Sequence, residues 1–187
     1  MSSAVLNATI RALGKSQRLT FCLLLAERMV PNLELYAAAN EQPAGPARGA
    51  LEALWALALG ERKSVGEQWG EKLDSYLDSL DDDDNLGAVV SRNATLAVRC
   101  CLDLALEGDM ECALMVSRIS RDDVRQFLQA QHDEPLNLRE QPLMQDEFAV
   151  QEALLTALAE LNDATAWREL RQELRAEAVT NLGISSR

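Results

Sequence analysis

Aromatic residues are scarce in this chain of 187 residues, only 4% of the total, and histidine occurs once, at His132. Each scarcity excludes something. A core poor in rings and drawn instead from Leu, Ala, Val and Met favours helix packing over sheet packing. A single imidazole leaves no Cys–His set with zinc-ligand spacing and no E-x-x-H pair for a metal-bearing bundle, and it offers little to nucleophilic catalysis, which needs an activated Ser or Cys beside a base. Long apolar runs are lacking too. The stretch Leu19 to Ala26 is followed at once by Glu27 and Arg28 and is too short to span a bilayer. With Arg11, Lys15 and Arg18 ahead of it the stretch mimics a signal peptide, but the preferred reading is a cytoplasmic protein, in which the sequons at Asn7 and Asn93 are chance matches. No run combines alternating periodicity with β-branched enrichment, and no glycine-rich phosphate loop follows a strand. The four cysteines, Cys22, Cys100, Cys101 and Cys112, lack C-x-x-C spacing and sit in apolar helical stretches, so they read as reduced core residues. No cofactor and no metal is expected.

What is present is charge of one sign, unevenly placed. Residues 1 to 63 carry 7 Lys+Arg against 5 Asp+Glu, a net of +2; residues 64 to 187 carry 11 against 25, a net of −14. A surface of that kind repels phosphate backbones, so direct nucleic-acid binding is not expected. It suits solubility, and it can attract a basic partner protein.

Punctuation by Gly and Pro marks out the helices. A first amphipathic segment, about Ser3 to Leu13, places Val5, Leu6, Ile10 and Leu13 on one face, with Gly14 as its C′ residue and Ser16 as cap of the next. The second, about Gln17 to Met29, is apolar nearly all round and kinks or restarts at Pro31 before running to about Ala39. Helices follow over about 46–59 and 65–80. The aspartate run Asp81 to Asp84 separates them from a long segment, about 86–106, whose only polar stripe is Arg92, Thr95, Arg99 and Asp103. The segment 109–131 is one helix, or two broken at Ser120 and Asp123, which resemble a capping box. A polar loop over 132–142 precedes helices over about 146–161 and 164–179, the last amphipathic and lying on the surface. The expected architecture is therefore an all-α, single-domain bundle of about seven to nine helices spanning 1–187. Two of them, near 17–29 and 86–106, should be central and largely buried.

Glu27, Arg28, Met29, Pro31 and Asn32, within "TFCLLLAERMVPNLELY", together with Asn181, Gly183 and Ile184 in the closing "NLGI", resemble the pattern of the bacterial YjaG-type family, whose function is uncharacterised. The resemblance runs along essentially the whole chain. It implies an all-helical bundle in a bacterial cytoplasm and supplies no mechanism.

Several constellations are candidates for chemistry. Arg28, in the last turn before Pro31, would meet unpaired carbonyls, and Asn32 would bond free backbone groups at the restart, so that Glu27, Arg28 and Asn32 stitch a kink. Alternatively the same three residues line a ligand pocket. The run Asp81 to Asp84 lacks the alternating ligands of a calcium loop and reads as a solvated loop ahead of a helix. Arg118, Arg121 and Arg125 share a face suited to an anion or a partner, or simply to solvent. Trp167 and the last helix suggest a subunit contact. The function remains unknown from the residues. The leading reading is a non-enzymatic interaction module that self-associates or binds a basic partner protein. The alternative is a small-molecule binder or carboxylate-based enzyme with its pocket near Glu27, Arg28 and Asn32.

Overall fold

A computed structural model describes residues 2–80, 85–132 and 136–185. Among them are eight α-helices: α1 (Ser3–Ala12), α2 (Lys15–Ala39), α3 (Ala47–Ala58), α4 (Gln68–Ser79), α5 (Leu86–Glu107), α6 (Met110–Ala130), α7 (Pro142–Glu160) and α8 (Ala164–Glu177). A single 3₁₀ turn, Leu138–Glu140, precedes α7. No strand occurs among the described residues. One isolated antiparallel bridge joins Val179 to Ser185. None of the described helices is long and apolar enough to cross a membrane. The acidic run Asp81 to Asp84 lies outside the described residues, as does Pro135 of the 132–142 loop.

Short polar side chains cap the starts of four of the eight described helices. Ser2, Asn85, Asp109 and Asp163 each accept a backbone N–H from the first turn that follows, at 3.4, 2.9, 2.9 and 2.9 Å, satisfying donors that have no partner within the helix. Pro142 opens α7 at a position where its missing N–H costs nothing. Gly108 ends α5 at φ 76°, the left-handed backbone that a Cβ would resist.

The two helices expected at the centre are there. Fourteen of the 25 residues of α2 are buried, and α2 packs most extensively on α5, with α3, α6, α7 and α8 also against it. Leu23 is fully buried and Leu102 is 1% exposed. The main core gathers Phe21, Leu24, Met29, Trp55, Val116 and Leu155, and a smaller cluster joins Val90, Val124, Leu128, Met144 and Leu182 at one end. Cys22, Cys100 and Cys101 are buried and Cys112 half-buried, all as free thiols. Burial pushes Cys100 up to about 11 and Cys112 up to about 12, and raises Cys101 well above the ordinary thiol range. They remain neutral.

Several local expectations are corrected. Gly14 does not close α1 in left-handed geometry; at φ −62° it caps α2, its N–H donating to Gln17 Oε1 at 3.0 Å, and Ser16 lies inside that helix. Val5 is 53% exposed rather than on the buried face. The segment 109–131 forms one helix, because Ser120 and Asp123 are wholly buried and turned toward other elements instead of capping their own. α2 runs through Pro31 without ending, so Arg28 is a mid-helix residue.

Candidate functional site

The helix α8 carries a narrow apolar edge, Trp167, Leu170 and Leu174, by which it leans on the body. At 100° per residue this edge is flanked on one side by Arg171 and Arg175 and on the other by Glu173 and Glu177. The two flanks meet different surroundings.

On the arginine flank stands Glu27 of α2, whose side chain is fully buried. Its carboxylate accepts from Arg48 of α3 at 2.5 Å, from Arg171 at 2.6 Å and from Arg175 at 3.0 Å. Glu34 takes the far edge of Arg48 with two bonds, at 2.8 and 3.0 Å, and Glu52 of α3 pairs with both Arg171, at 2.6 Å, and Arg175. Arg171 also stacks 4.8 Å from the Trp55 ring. Three cations and three anions thus balance around a cavity of 350 Å³ that Glu27, Pro31, Arg48, Glu52 and Arg175 help to line. Burial pushes Glu52 up, but hydrogen bonds from Arg171 and Arg175, and their charge, bring it below the ordinary carboxylate range.

On the glutamate flank the interior is held by one arginine and otherwise by neutral donors. Arg28 Nη1 donates to Glu147 Oε2 of α7 at 2.6 Å, and Glu147 Oε1 accepts from Ser120 Oγ at 2.6 Å and Gln151 Nε2 at 2.7 Å. Beside it Asp123 is fully buried, accepting from Asn93 Nδ2 at 2.6 Å and, more weakly, from Asn181 Nδ2 at 3.5 Å. Burial pushes Asp123 up, the two amide donors pull it back in part, and the charges of Glu147 and Asp122 push it further, to about 8. At neutral pH this carboxyl holds its proton. Asn181 Oδ1 accepts from Asn32 Nδ2 at 2.7 Å and Asn181 N donates to Arg28 O at 3.2 Å, so the two ends of the chain that carry the family resemblance are joined. Asn32 Oδ1 has no hydrogen-bond partner among the described residues.

The reversal that brings Asn181 inward depends on backbone geometry. Ala178 closes α8 in the left-handed region at φ 52° and Gly183 turns at φ 71°. Thr180 Oγ meanwhile accepts from the N–H of Leu182 at 3.2 Å and of Ile184 at 3.3 Å. Between this hook, α7 and α8 opens a cleft of 670 Å³. Its walls are Leu143, Val150 and Leu154 of α7 facing Leu170 and Leu174 of α8; Arg28 and Glu147 form its floor; and Asp146, Glu173 and Glu177 stand on its rim. All three rim carboxylates are exposed, and none makes an ion pair with the described residues.

The three candidates from sequence therefore sit together but look in different directions: Glu27 into the arginine cluster, Arg28 toward the cleft, and Asn32 into the interior against Asn181. The kink-stitching reading is replaced, since their side-chain partners lie on α3, α7, α8 and the terminal hook. Arg118, Arg121 and Arg125 do not form one site: Arg118 contacts Met115 Sδ, Arg121 stacks on Phe148 and donates to Ser117 O, and Arg125 pairs with Asp122. Trp167 is 5% exposed and belongs to the chain's own core, so it offers no subunit contact. Sequence reasoning missed Glu147, Asp123 and Asn181 as neighbours. It also passed over the split of α8 into basic and acidic flanks, although the i, i+4 spacing of Arg171 with Arg175 and Glu173 with Glu177 displays it.

A family model described as "Protein of unknown function (DUF416)" matches residues 6–185. An uncharacterized protein of Haemophilus influenzae is 30% identical over 177 residues, covering 90% of each chain. The uncharacterized protein YjaG of Escherichia coli is 27% identical over 187 residues, covering 96% of this chain and 95% of its own. The crystal structure of a DUF416 family protein from Shewanella baltica superimposes with a TM-score of 0.87 at 23% identity, over 96% of this chain and 97% of the other. That likeness shows the fold.

Proposed function

The chain belongs to the family described as protein of unknown function (DUF416), and from that premise, which carries a fold and no activity, we propose that it is a helical binding module whose α7–α8 cleft receives a basic, amphipathic segment of a protein partner. The observation that carries this reading is an apolar trough whose three rim carboxylates make no ion pair with the described residues. Glu173 and Glu177 stand in the last turns of α8, where negative charge opposes the helix dipole and gains nothing locally. A cationic segment lying in the trough would satisfy them while burying Val150, Leu170 and Leu174. This is the helix-in-groove mode of recognition, with charge choosing the partner and apolar contact holding it.

Carboxylate-based catalysis is less well supported. Asp123, whose carboxyl is pushed up to about 8, is fully buried and does not line the cleft. A small ligand has this in its favour: Arg28 lies on the cleft floor with Glu147 as its one side-chain partner among the described residues, and the volume falls within the range of about 300–1,000 Å³ common for ligand sites. The acidic rim repels a free anion bound for that guanidinium. The buried free thiols agree with work in the cytoplasm.

Titration with a fluorescent lysine–leucine peptide that folds as an amphipathic helix tests the reading. Wild type should bind in a salt-sensitive manner, and Glu173→Lys with Glu177→Lys should weaken binding about tenfold or more. Binding unchanged by that reversal, or absent at low ionic strength, would overturn it.

A further inference from the structure

The opening of this acidic chain contains no acid. Residues 1 to 26 hold Arg11, Lys15 and Arg18 and neither Asp nor Glu. Within that stretch α1 turns Leu6 and Ile10 inward and leaves Ala4, Val5, Ala8 and Ala12 on the outside, spaced i, i+1, i+4 and i+8 along one stripe. Val5, at 53%, is the most exposed of the large hydrophobic residues described. Arg18 is occupied in the α1–α2 turn, where it donates to the carbonyl of Leu13 at 2.6 Å. The other two cations are at hand. Lys15 is exposed and makes no ion pair with the described residues. Arg11 meets Glu111 at 2.8 Å with both side chains more than half exposed, a pair that water screens and that exchanges partners readily.

Resting on the groove reading above, we propose that the segment received by the α7–α8 cleft is α1 of a second copy of this chain. Val5 and the outward alanines would lie on Val150, Leu170 and Leu174, and Arg11 and Lys15 would face Glu173, Glu177 and Asp146. Charge complementarity argues for this occupant: the longest acid-free stretch of a chain of net −12, carrying three cations, meets three carboxylates that make no ion pair with the described residues. Length argues for it as well. α1 has 10 residues, about 15 Å of helix, and the wall of α7 from Leu143 to Leu154 presents about 17 Å. Small residues on α1 let its backbone sink into the trough.

The geometry also sets the symmetry of the assembly. The cleft is lined from α7 by Asp146, Glu147, Val150 and Leu154, whereas Ser2 and Ser3 at the start of α1 border the opposite face of α7, beside Met144, Phe148 and Glu152. Donor and acceptor surfaces therefore point away from each other on one protomer. Their contact is heterologous, head to tail, and it builds a ring or a growing chain rather than stopping at a two-fold dimer.

Sedimentation velocity on the full chain tests this with two surface variants, one carrying Arg11→Glu and Lys15→Glu, the other Glu173→Lys and Glu177→Lys. Wild type should show mass rising with concentration at low salt and falling back to monomer at high salt. Each variant alone, folded by circular dichroism, should lose the association. Mixed together they should regain it, because the acidic α1 of one meets the basic groove of the other and the basic α1 of the second meets the unaltered groove of the first. Association that survives in either variant, a mixture that stays monomeric, or a wild type that is monomeric at every concentration would overturn the proposal. If wild type is monomeric yet the lysine–leucine peptide still binds and is lost on groove reversal, the self-docking inference fails while the groove reading stands; if the peptide also fails to bind, both fall.

Discussion

The two flanks of α8 bury carboxylates by opposite means. Glu27 is surrounded by three guanidinium groups, each shared with a further carboxylate, so that full charge is compensated by full charge. Glu147 has one arginine, Arg28, and otherwise neutral donors, and Asp123 next to it has none but amides, so it stays protonated. The first arrangement ties α2, α3 and α8 together electrostatically. The second ties α2, α5, α6, α7 and the terminal hook by hydrogen bonds that depend on where a proton sits. A buried carboxylate demands a cation or a proton, and this molecule uses each within the reach of one helix.

Removing the central anion should break the comparison most strongly. In Glu27→Gln all three guanidinium groups, Arg171 at only 12% exposure among them, lose their charged partner on α2 and keep a single carboxylate each, Glu34 for Arg48 and Glu52 for Arg171 and Arg175. Urea unfolding should show a loss of about 3–5 kcal/mol, the range for one partner of a buried pair. A loss under half of that would mean the cluster is solvated and Glu27 is not its centre.

The protonated flank responds in the other direction. Because the Asp123 carboxyl is raised in the folded protein, to about 8 from about 4 unfolded, the folded state holds the extra proton between those values. Its contribution to stability is complete below pH 4, declines as pH rises and is gone above pH 8. Asp123→Asn removes that decline, so the difference between variant and wild type should grow in the variant's favour from pH 5 to pH 8, by about 2 kcal/mol once water drawn toward the ionised form is allowed for. A pH-independent difference would show that Asp123 is ionised throughout.

The smallest effect sharpens the contrast between enclosed and open charge. Arg168, on the same helix as Arg171, pairs with Glu61 at 2.7 Å with side chains 43% and 52% exposed. Arg168→Ala should cost no more than about 0.5 kcal/mol in the same unfolding experiment.

Much of the fold was legible because helix burial is written in local spacing. The apolar run around Leu23 and the narrow polar stripe beside Leu102 marked α2 and α5 as enclosed, and both are. The choice between one helix and two at Ser120 and Asp123 falls to the structure for an instructive reason: polar residues three apart look alike whether they cap a helix or face a polar neighbour inside a core, and only Asn93 and Glu147 distinguish the cases. Glu27, Arg28 and Asn32 stood out as polar residues at the end of an oily helix. What they do could not be read, since their partners Arg175, Glu147 and Asn181 come from more than a hundred residues away.

Sequence alone determined that this chain is helical, which helices are enclosed and where its negative charge accumulates, because periodicity and composition act over a few neighbouring residues. Only the tertiary structure decided that α7 and α8 part to leave an acid-rimmed trough, that the terminal hook carries Asn181 back to Asn32, and which buried carboxyls meet cations and which keep a proton. Those outcomes rest on desolvation and on contacts between distant segments, and a charge has no defined cost until its surroundings are assembled.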